Sequence, residues 1–140
     1  MNVQEEKFAL KELCDRFSIL ADEMKLHEQA QLFMENGTLT SKNNGETHVF
    51  EGREAIEKSC TAFMNLFEIH FHNNGQALFD IIDETHARGT AYNETILIGN
   101  GTMRTNGIVY HDQYEKADGK WLIAARESNF VWVKTEAYTR

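Results

Sequence analysis

The chain has 140 residues, a length that suits one domain, 1–140, hiding about 68% of the surface its unfolded form would expose. Fourteen Lys and Arg against 22 Asp and Glu leave a net charge of −8, which removes the phosphate attraction behind most nucleic-acid binding and makes an anionic membrane surface an equally poor partner. No apolar run approaches the roughly 20 residues of a spanning helix, and the start, MNVQEEKFAL, lacks a basic stretch followed by an apolar one, so the expected setting is the cytoplasm. The two cysteines, Cys14 and Cys60, sit inside amphipathic patterns without metal-type spacing and read as small core residues in a reducing compartment.

Leu10, Leu13, Cys14, Phe17, Leu20, Ala21 and Met24 recur at spacings of three and four, the stripe of a helix beginning near Gln4. A second helix is expected from about His27 to Glu35, stopped by Asn36-Gly37, a pair that suits a left-handed helix end. Short strands at Thr38–Thr40 and His48–Phe50 then flank a polar loop, Ser41–Glu46, and Gly52-Arg53-Glu54 opens a third helix with Ile56, Cys60, Phe63 and Phe67 on its core stripe. From Ile69 onward the pattern is of strands: Ile69–Asn73, Gln76–Ile82, His86–Gly99, Thr102–Glu115 and Lys120–Val133. Asn73-Asn74-Gly75, Asp83-Glu84, Gly99-Asn100-Gly101 and Ala117-Asp118-Gly119 read as the turns between them, because Asn, Asp and Gly accept positive φ at low cost.

Helices followed by hairpin-linked strands imply an α+β domain, with the helices packed on the concave face of a curved antiparallel or mixed sheet. Strands this long bend and enclose a cavity. On the last strand, Trp121, Ile123, Val131 and Val133 have one parity and Leu122, Phe130 and Trp132 the other, so both faces need cover. A second copy of the chain on the outer face of the sheet, giving a homodimer, meets that need.

Three places could carry chemistry. In Ile69-His70-Phe71-His72-Asn73-Asn74, strand alternation puts His70, His72 and Asn74 on one face. This could be a solvated edge, a set of hydrogen-bonded core histidines or a polar patch in a pocket. A His-x-His pair supplies two metal ligands but no third stands at a recognisable spacing, so no metal is expected. In Tyr110-His111-Asp112-Gln113-Tyr114, a three-residue hairpin at Ala117-Asp118-Gly119 would set Tyr110 opposite Arg126, Asp112 opposite Ala124 and Tyr114 opposite Leu122, whereas a two-residue loop would bring His111 to Arg126. Asp22 ends the first helix just beyond Leu20 and Ala21.

Four stretches together resemble the nuclear transport factor 2-like superfamily, and within it the SnoaL-like polyketide cyclase and dehydratase group. They are Leu20-Ala21-Asp22 with Gln31-Leu32-Phe33-Met34-Glu35-Asn36-Gly37; Glu51-Gly52-Arg53-Glu54-Ala55-Ile56; His70 with Asn74; and Gly107 with Tyr110, Asp112 and Asp118-Gly119-Lys120-Trp121-Leu122-Ile123 leading to Arg126. The resemblance spans residues 5 to 133 and implies a cone-shaped α+β barrel. It also implies roles: Asp22 matches an acidic residue that works with a histidine in dehydratase and dehydrochlorinase members, His70 matches that histidine, and Asp112 matches a strand carboxylate of the pocket. A neutral imidazole oriented by a carboxylate can remove a proton from carbon beside a carbonyl; Asp112 would then act as the acid, Tyr110 as a donor to a developing oxyanion, and Arg126 would bind a substrate carboxylate or hold the pocket carboxylates. Where dehydratase members carry tyrosine and the dehydrochlorinase carries lysine, five residues before the acidic position, this chain has Phe17.

These readings converge on a cofactor-independent lyase or isomerase acting on a small hydrophobic ring-type molecule in a blind pocket. Its walls are expected from Phe17, Phe33, Phe63, Phe67, Leu78 and Ile108, with His72, Asn74 and Arg126 contacting the substrate. The alternatives are a non-catalytic module of the same fold that binds a small molecule or serves dimerisation, and an accessory subunit of a larger enzyme.

Overall fold

A computed structural model describes residues 1–139. The first helix, α1 (Val3–Asp22), starts where the Asn2 side chain accepts hydrogen bonds from the amides of Gln4 and Glu5, groups that the first turn cannot satisfy itself. Its buried stripe is Leu10, Leu13, Cys14, Phe17, Ser18 and Ala21. A one-turn helix, α2 (Leu26–Ala30), follows and ends sooner than expected. Strand β1 (Phe33–Asn43) then runs straight through Asn36-Gly37. That pair caps no helix. It lies in an irregularity of the parallel β1–β6 pairing, where the register moves between Phe33↔Ile123 and Thr38↔Ala125, and a Cβ on Gly37 would stand 2.9 Å from the Met34 carbonyl oxygen. The expected polar loop shrinks to Asn44-Gly45, both at positive φ, which joins β1 to β2 (Glu46–Glu51) as a tight hairpin. Helix α3 is Arg53–Met64.

The remaining strands are β3 (Ile69–Ile81), β4 (His86–Gly99), β5 (Thr102–Ala117) and β6 (Lys120–Ala137). With β1 and β2 they form a six-stranded mixed sheet in the order β2-β1-β6-β5-β4-β3. The fold is therefore the expected α+β cone, a curved sheet with helices on its inner face.

Irregular pairings decide what faces inward. Asn73-Asn74-Gly75 was expected as a turn, but β3 is continuous and its register against β4 shifts between Asn74 and Ala77. The half-buried side chains therefore change from His70, His72 and Asn74 to Ala77, Phe79 and Ile81. Leu78, expected on the pocket wall, is 80% exposed on the outer face. On β6 the partners change from Tyr114↔Ile123 to Gln113↔Ala125, leaving Ala124 as an extra residue, and again around Val131. The inward set moves from Trp121 and Ile123 to Arg126 and Ser128, which explains why both parities of this strand looked apolar. The hairpin at Asp118-Gly119 is the two-residue kind, with φ of +51° and +75°. The bulge adds one step, so that Asp112, rather than Tyr110 or His111, is the partner of Arg126, and Tyr110 pairs with Ser128.

Two apolar clusters fill the space between sheet and helices. The larger holds Leu10, Leu13, Phe17, Phe33, Ile56, Tyr114, Trp121 and Ile123; the smaller holds Ala21, Leu26, Met64 and Leu97. Phe71, Tyr92, Val131, Trp132 and Val133 remain exposed. Among the described residues no helix is long and apolar enough to cross a membrane.

Candidate active site

Between the clusters lies a cavity of about 380 Å³, within the range of small-molecule sites. Phe17 and Ala21 of α1, Cys60, Phe63 and Met64 of α3, and Leu39 and Phe50 of the β1–β2 hairpin supply apolar wall. The sheet contributes His72, Thr95, Arg104, Asn106, Ile108, Tyr110, Ser128 and Phe130. Glu46 and His48, both largely exposed, mark the rim at the hairpin end. A wider groove of about 640 Å³ lies along the outer face among Leu78, Asp80, Arg88, His111 and Glu127. The side chains of Leu78, Asp80, Arg88 and His111 are exposed there, Arg88 pairing with Asp80, and the buried Asp112 and Arg126 border the same groove, whereas the side chains of the inner cavity converge.

One end of the cavity is organised by the last residue of α1. The Asp22 carboxylate accepts from the His72 amide at 2.9 and 3.1 Å and from His72 Nδ1 at 2.6 Å. The helix end thereby fixes both the backbone and the ring of the histidine. With Nδ1 donating, the neutral ring carries its lone pair on Nε2, and Nε2 makes no hydrogen bond to the described residues while the His72 side chain lines the cavity. Asp22 itself stands behind the ring and does not line the cavity.

His70 was expected in that position. It shares the face but stands one pleat away, where Nε2 donates to the Met64 carbonyl at 2.7 Å, an oxygen of the last turn of α3 that also accepts from the Phe67 amide. The partner of Asp22 is His72. Asn74 is likewise structural in its contacts. Its Nδ2 donates to the Cys14 carbonyl and to Asp15, and its Oδ1 accepts from Ser18 and Asn93, so it ties β3 to α1 outside the cavity.

Asp112 and Arg126, both expected at the pocket, form a sealed unit beside it. Arg126 Nε and Nη2 donate to the two carboxylate oxygens at 2.9 and 2.8 Å, and Tyr114 adds a hydroxyl donor at 2.5 Å. The paired side chains are 1% and 0% exposed. Burial alone would lower the Arg126 pKa, but the Asp112 carboxylate outweighs it and holds the guanidinium charged. Its carbon sits 3.8 Å from the centre of the Tyr110 ring and 4.4 Å from that of Phe17, a cation enclosed by two aromatic faces. Neither member lines the inner cavity, so Asp112 has no route to act as an acid there and Arg126 none to bind substrate.

Tyr110 does line it. Burial pushes its hydroxyl up to about 12, so it stays protonated, and it has no hydrogen-bond partner among the described residues. Phe17, Phe63 and Ile108 are wall residues as expected. Phe33 is fully buried behind Phe17, edge-on at 6.0 Å, and Phe67 packs behind Phe63 at 5.5 Å; neither reaches the cavity. Gln29 was not foreseen. Its Nε2 donates to the Phe17 carbonyl, while its buried Oε1, in a residue of the cavity lining, lacks a partner among the described residues. Arg104, Asn106 and Ser128 were also missed. The first two follow from Tyr110 by simple alternation along β5, and Ser128 requires the bulge of β6. Among the described residues no three His, Cys, Asp or Glu converge as a metal site.

A sequence model of the SnoaL-like domain matches residues 4–127. The chain belongs to the SnoaL-like family. Solved structures with the same fold include a candidate scytalone dehydratase from Novosphingobium aromaticivorans, with a TM-score of 0.84, 23% identity, and cover of 98% of this chain and 90% of that one. The hexachlorocyclohexane dehydrochlorinase LinA-type3 from Novosphingobium barchaimii gives 0.83 at 14% identity, covering 98% and 94%. An NTF2-like protein with a cystatin-like fold, also from N. aromaticivorans, gives 0.72 at 20%, covering 92% and 84%. At these identities the likeness is one of fold, and SnoaL-like architecture hosts more than one chemistry.

Proposed function

We propose that this SnoaL-like protein is a cofactor-free lyase, of the dehydratase or cyclase kind, that takes a proton from carbon of a small ring-type substrate. The observation that carries this reading is the Asp22–His72 pair, closed at Nδ1 and open at Nε2 toward an apolar cavity. His72 Nε2 receives the proton; Asp22 stabilises the imidazolium that results; Tyr110 donates to the oxygen on which charge develops, or to a departing hydroxyl. The carbon–hydrogen electron pair forms the new double bond as the leaving group departs. The dehydratase and dehydrochlorinase names among the structural neighbours support an elimination. The exposed Phe71, Tyr92, Val131 and Trp132 on the outer face support a homodimer through that face.

The test needs no knowledge of the natural substrate. In D2O, the protein should catalyse deuterium exchange at the acidic carbon of cyclic ketones and β-hydroxyketones, followed by proton NMR. His72→Gln should slow exchange by about 10²- to 10⁴-fold, and His70→Gln should leave it largely intact. Exchange that survives His72→Gln overturns the assignment and leaves a binding module of the same fold.

A further inference from the structure

Of the charged side chains around the cavity, Arg104 has no counter-ion among the described residues. It stands on β5 opposite Leu97 of β4 and Thr135 of β6, with its side chain in the cavity lining. Its guanidinium carbon lies 5.2 Å from the centre of the Phe63 ring and 6.0 Å from that of Phe130. Nε donates to Asn106 Oδ1 at 2.9 Å. Among the described residues no carboxylate comes within 4.0 Å, and the four N–H groups of Nη1 and Nη2 have no protein acceptor. Partial burial lowers its pKa, and no carboxylate among the described residues stands within 4.0 Å to offset it. Arg126, deeper in the same fold, has Asp112 for that purpose. Glu46 at the rim faces His48 instead.

A guanidinium held by two aromatic rings and one amide, with its far edge free, is shaped for a planar anion that accepts two parallel hydrogen bonds. We propose that Arg104 is the anion-binding end of this cavity and that the molecule it receives is an organic carboxylate, its apolar ring lying against Phe63 and Ile108. The register places the acid relative to the base. His72 shares a row with Thr95 and Asn106, and Arg104 stands in the next row, with His70 and Leu97. Two strands across and two residues along put the Cα atoms of His72 and Arg104 about 12 Å apart. Both side chains point into the cavity from there, and one ring with a short arm spans the gap between their ends. This assignment rests on reading the cavity as a substrate site, and it names the substrate class: ring-containing acids, bound carboxylate toward Arg104 and reacting carbon toward His72.

The test is a binding measurement by calorimetry with 2-naphthoate and its neutral isostere 2-naphthamide. The wild-type protein should bind the acid at least tenfold more tightly, with an affinity that falls as salt rises. Arg104→Gln should lower naphthoate affinity at least tenfold, to the level of the amide, and leave the amide unchanged; Arg104→Lys should fall between. Binding is read without turnover, so a failure of the proton-transfer reading in the exchange assay would leave the anion site standing. Equal affinity for acid and amide, failure of both 2-naphthoate and the smaller benzoate to bind, or naphthoate binding untouched in Arg104→Gln overturns the proposal. Should Arg104→Gln misfold, the acid-to-amide ratio in the wild-type and Arg104→Lys proteins decides it, and a ratio unchanged by lysine counts against it.

Discussion

Two interior carboxylates are each paired with a nitrogen side chain, Asp112 with Arg126 between β5 and β6 and Asp22 with His72 between α1 and β3, and the pairs differ in one respect that decides what each can do. Asp112 is saturated by Arg126 and Tyr114, and the pair is sealed: the side chains are 0% and 1% exposed, and Arg126 Nη1 is left without a partner behind Phe17 and Tyr110. Asp22 is also saturated, by the amide and Nδ1 of His72, but the imidazole's second nitrogen looks into the cavity. A sealed pair has nowhere to send a proton, while the open pair can accept one. Proximity of charges marks both sites, and only exposure of the far atom separates scaffold from candidate chemistry.

The largest effect separating them should be on stability. Asp112→Asn leaves the Arg126 charge buried without compensation and should cost about 3–5 kcal/mol, read as a fall in the urea midpoint. Replacing both members, Asp112→Leu with Arg126→Met, should cost less than the single change, because no uncompensated charge remains. Asp22→Asn keeps an acceptor beside a half-exposed position and should cost about 1 kcal/mol while slowing exchange. Equal losses from Asp112→Asn and Asp22→Asn would erase the distinction and make both pairs structural.

Tyr110 touches both regions, since its ring covers Arg126 and its hydroxyl faces the cavity. Tyr110→Phe keeps the ring, so stability should change by under about 0.5 kcal/mol, whereas loss of one oxyanion donor should slow turnover by about 10²-fold. The hydroxyl, held near 12 by burial, should show no titration in the rate profile below that value. A Tyr110→Phe protein with unchanged exchange and lower stability would move the hydroxyl to the scaffold side.

The helices, the long strands and the helix-on-sheet arrangement were legible because each rests on local periodicity: the α1 stripe from Leu10 to Ala21 and the alternation along β4 and β5. The family resemblance paired Asp22 with His70, whereas the structure pairs it with His72. His70 and His72 have the same parity, and the hydrogen bond that separates them depends on where α1 ends against β3, a contact between residues 50 apart. Bulges hid more. Nothing local announces the extra residue at Ala124 that pairs Asp112 with Arg126, nor the shift after Asn74 that turns Leu78 outward. Gly75 and Gly37 are faint signals of such irregularity, and both were read as ordinary turn or cap residues. Arg104 and Asn106 could have been found by continuing the even positions of β5 back from Tyr110.

The smallest effect concerns a third pair, at the other end of α1, which tests whether the helix is held by charge at its start as it is at Asp22. Glu6 accepts from Lys116 Nζ at 2.9 Å and from the indole of Trp121. The Lys116 bond, then the Trp121 bond, hold the Glu6 carboxyl below its ordinary value. A carboxyl lowered in the folded state contributes stability that is present above its unfolded value, about 4.5, and is lost as the pH falls through the folded value. Glu6→Gln should therefore cost up to about 1 kcal/mol at pH 7, and the gap between variant and wild type should close below about pH 4.5. The rate of exchange should not change, because Glu6 lies away from the cavity. An activity loss in Glu6→Gln at neutral pH would mean that the start of α1 sets the position of Asp22 twenty-odd ångströms along the same helix, and the open pair would then depend on the scaffold more closely than the geometry at His72 alone requires.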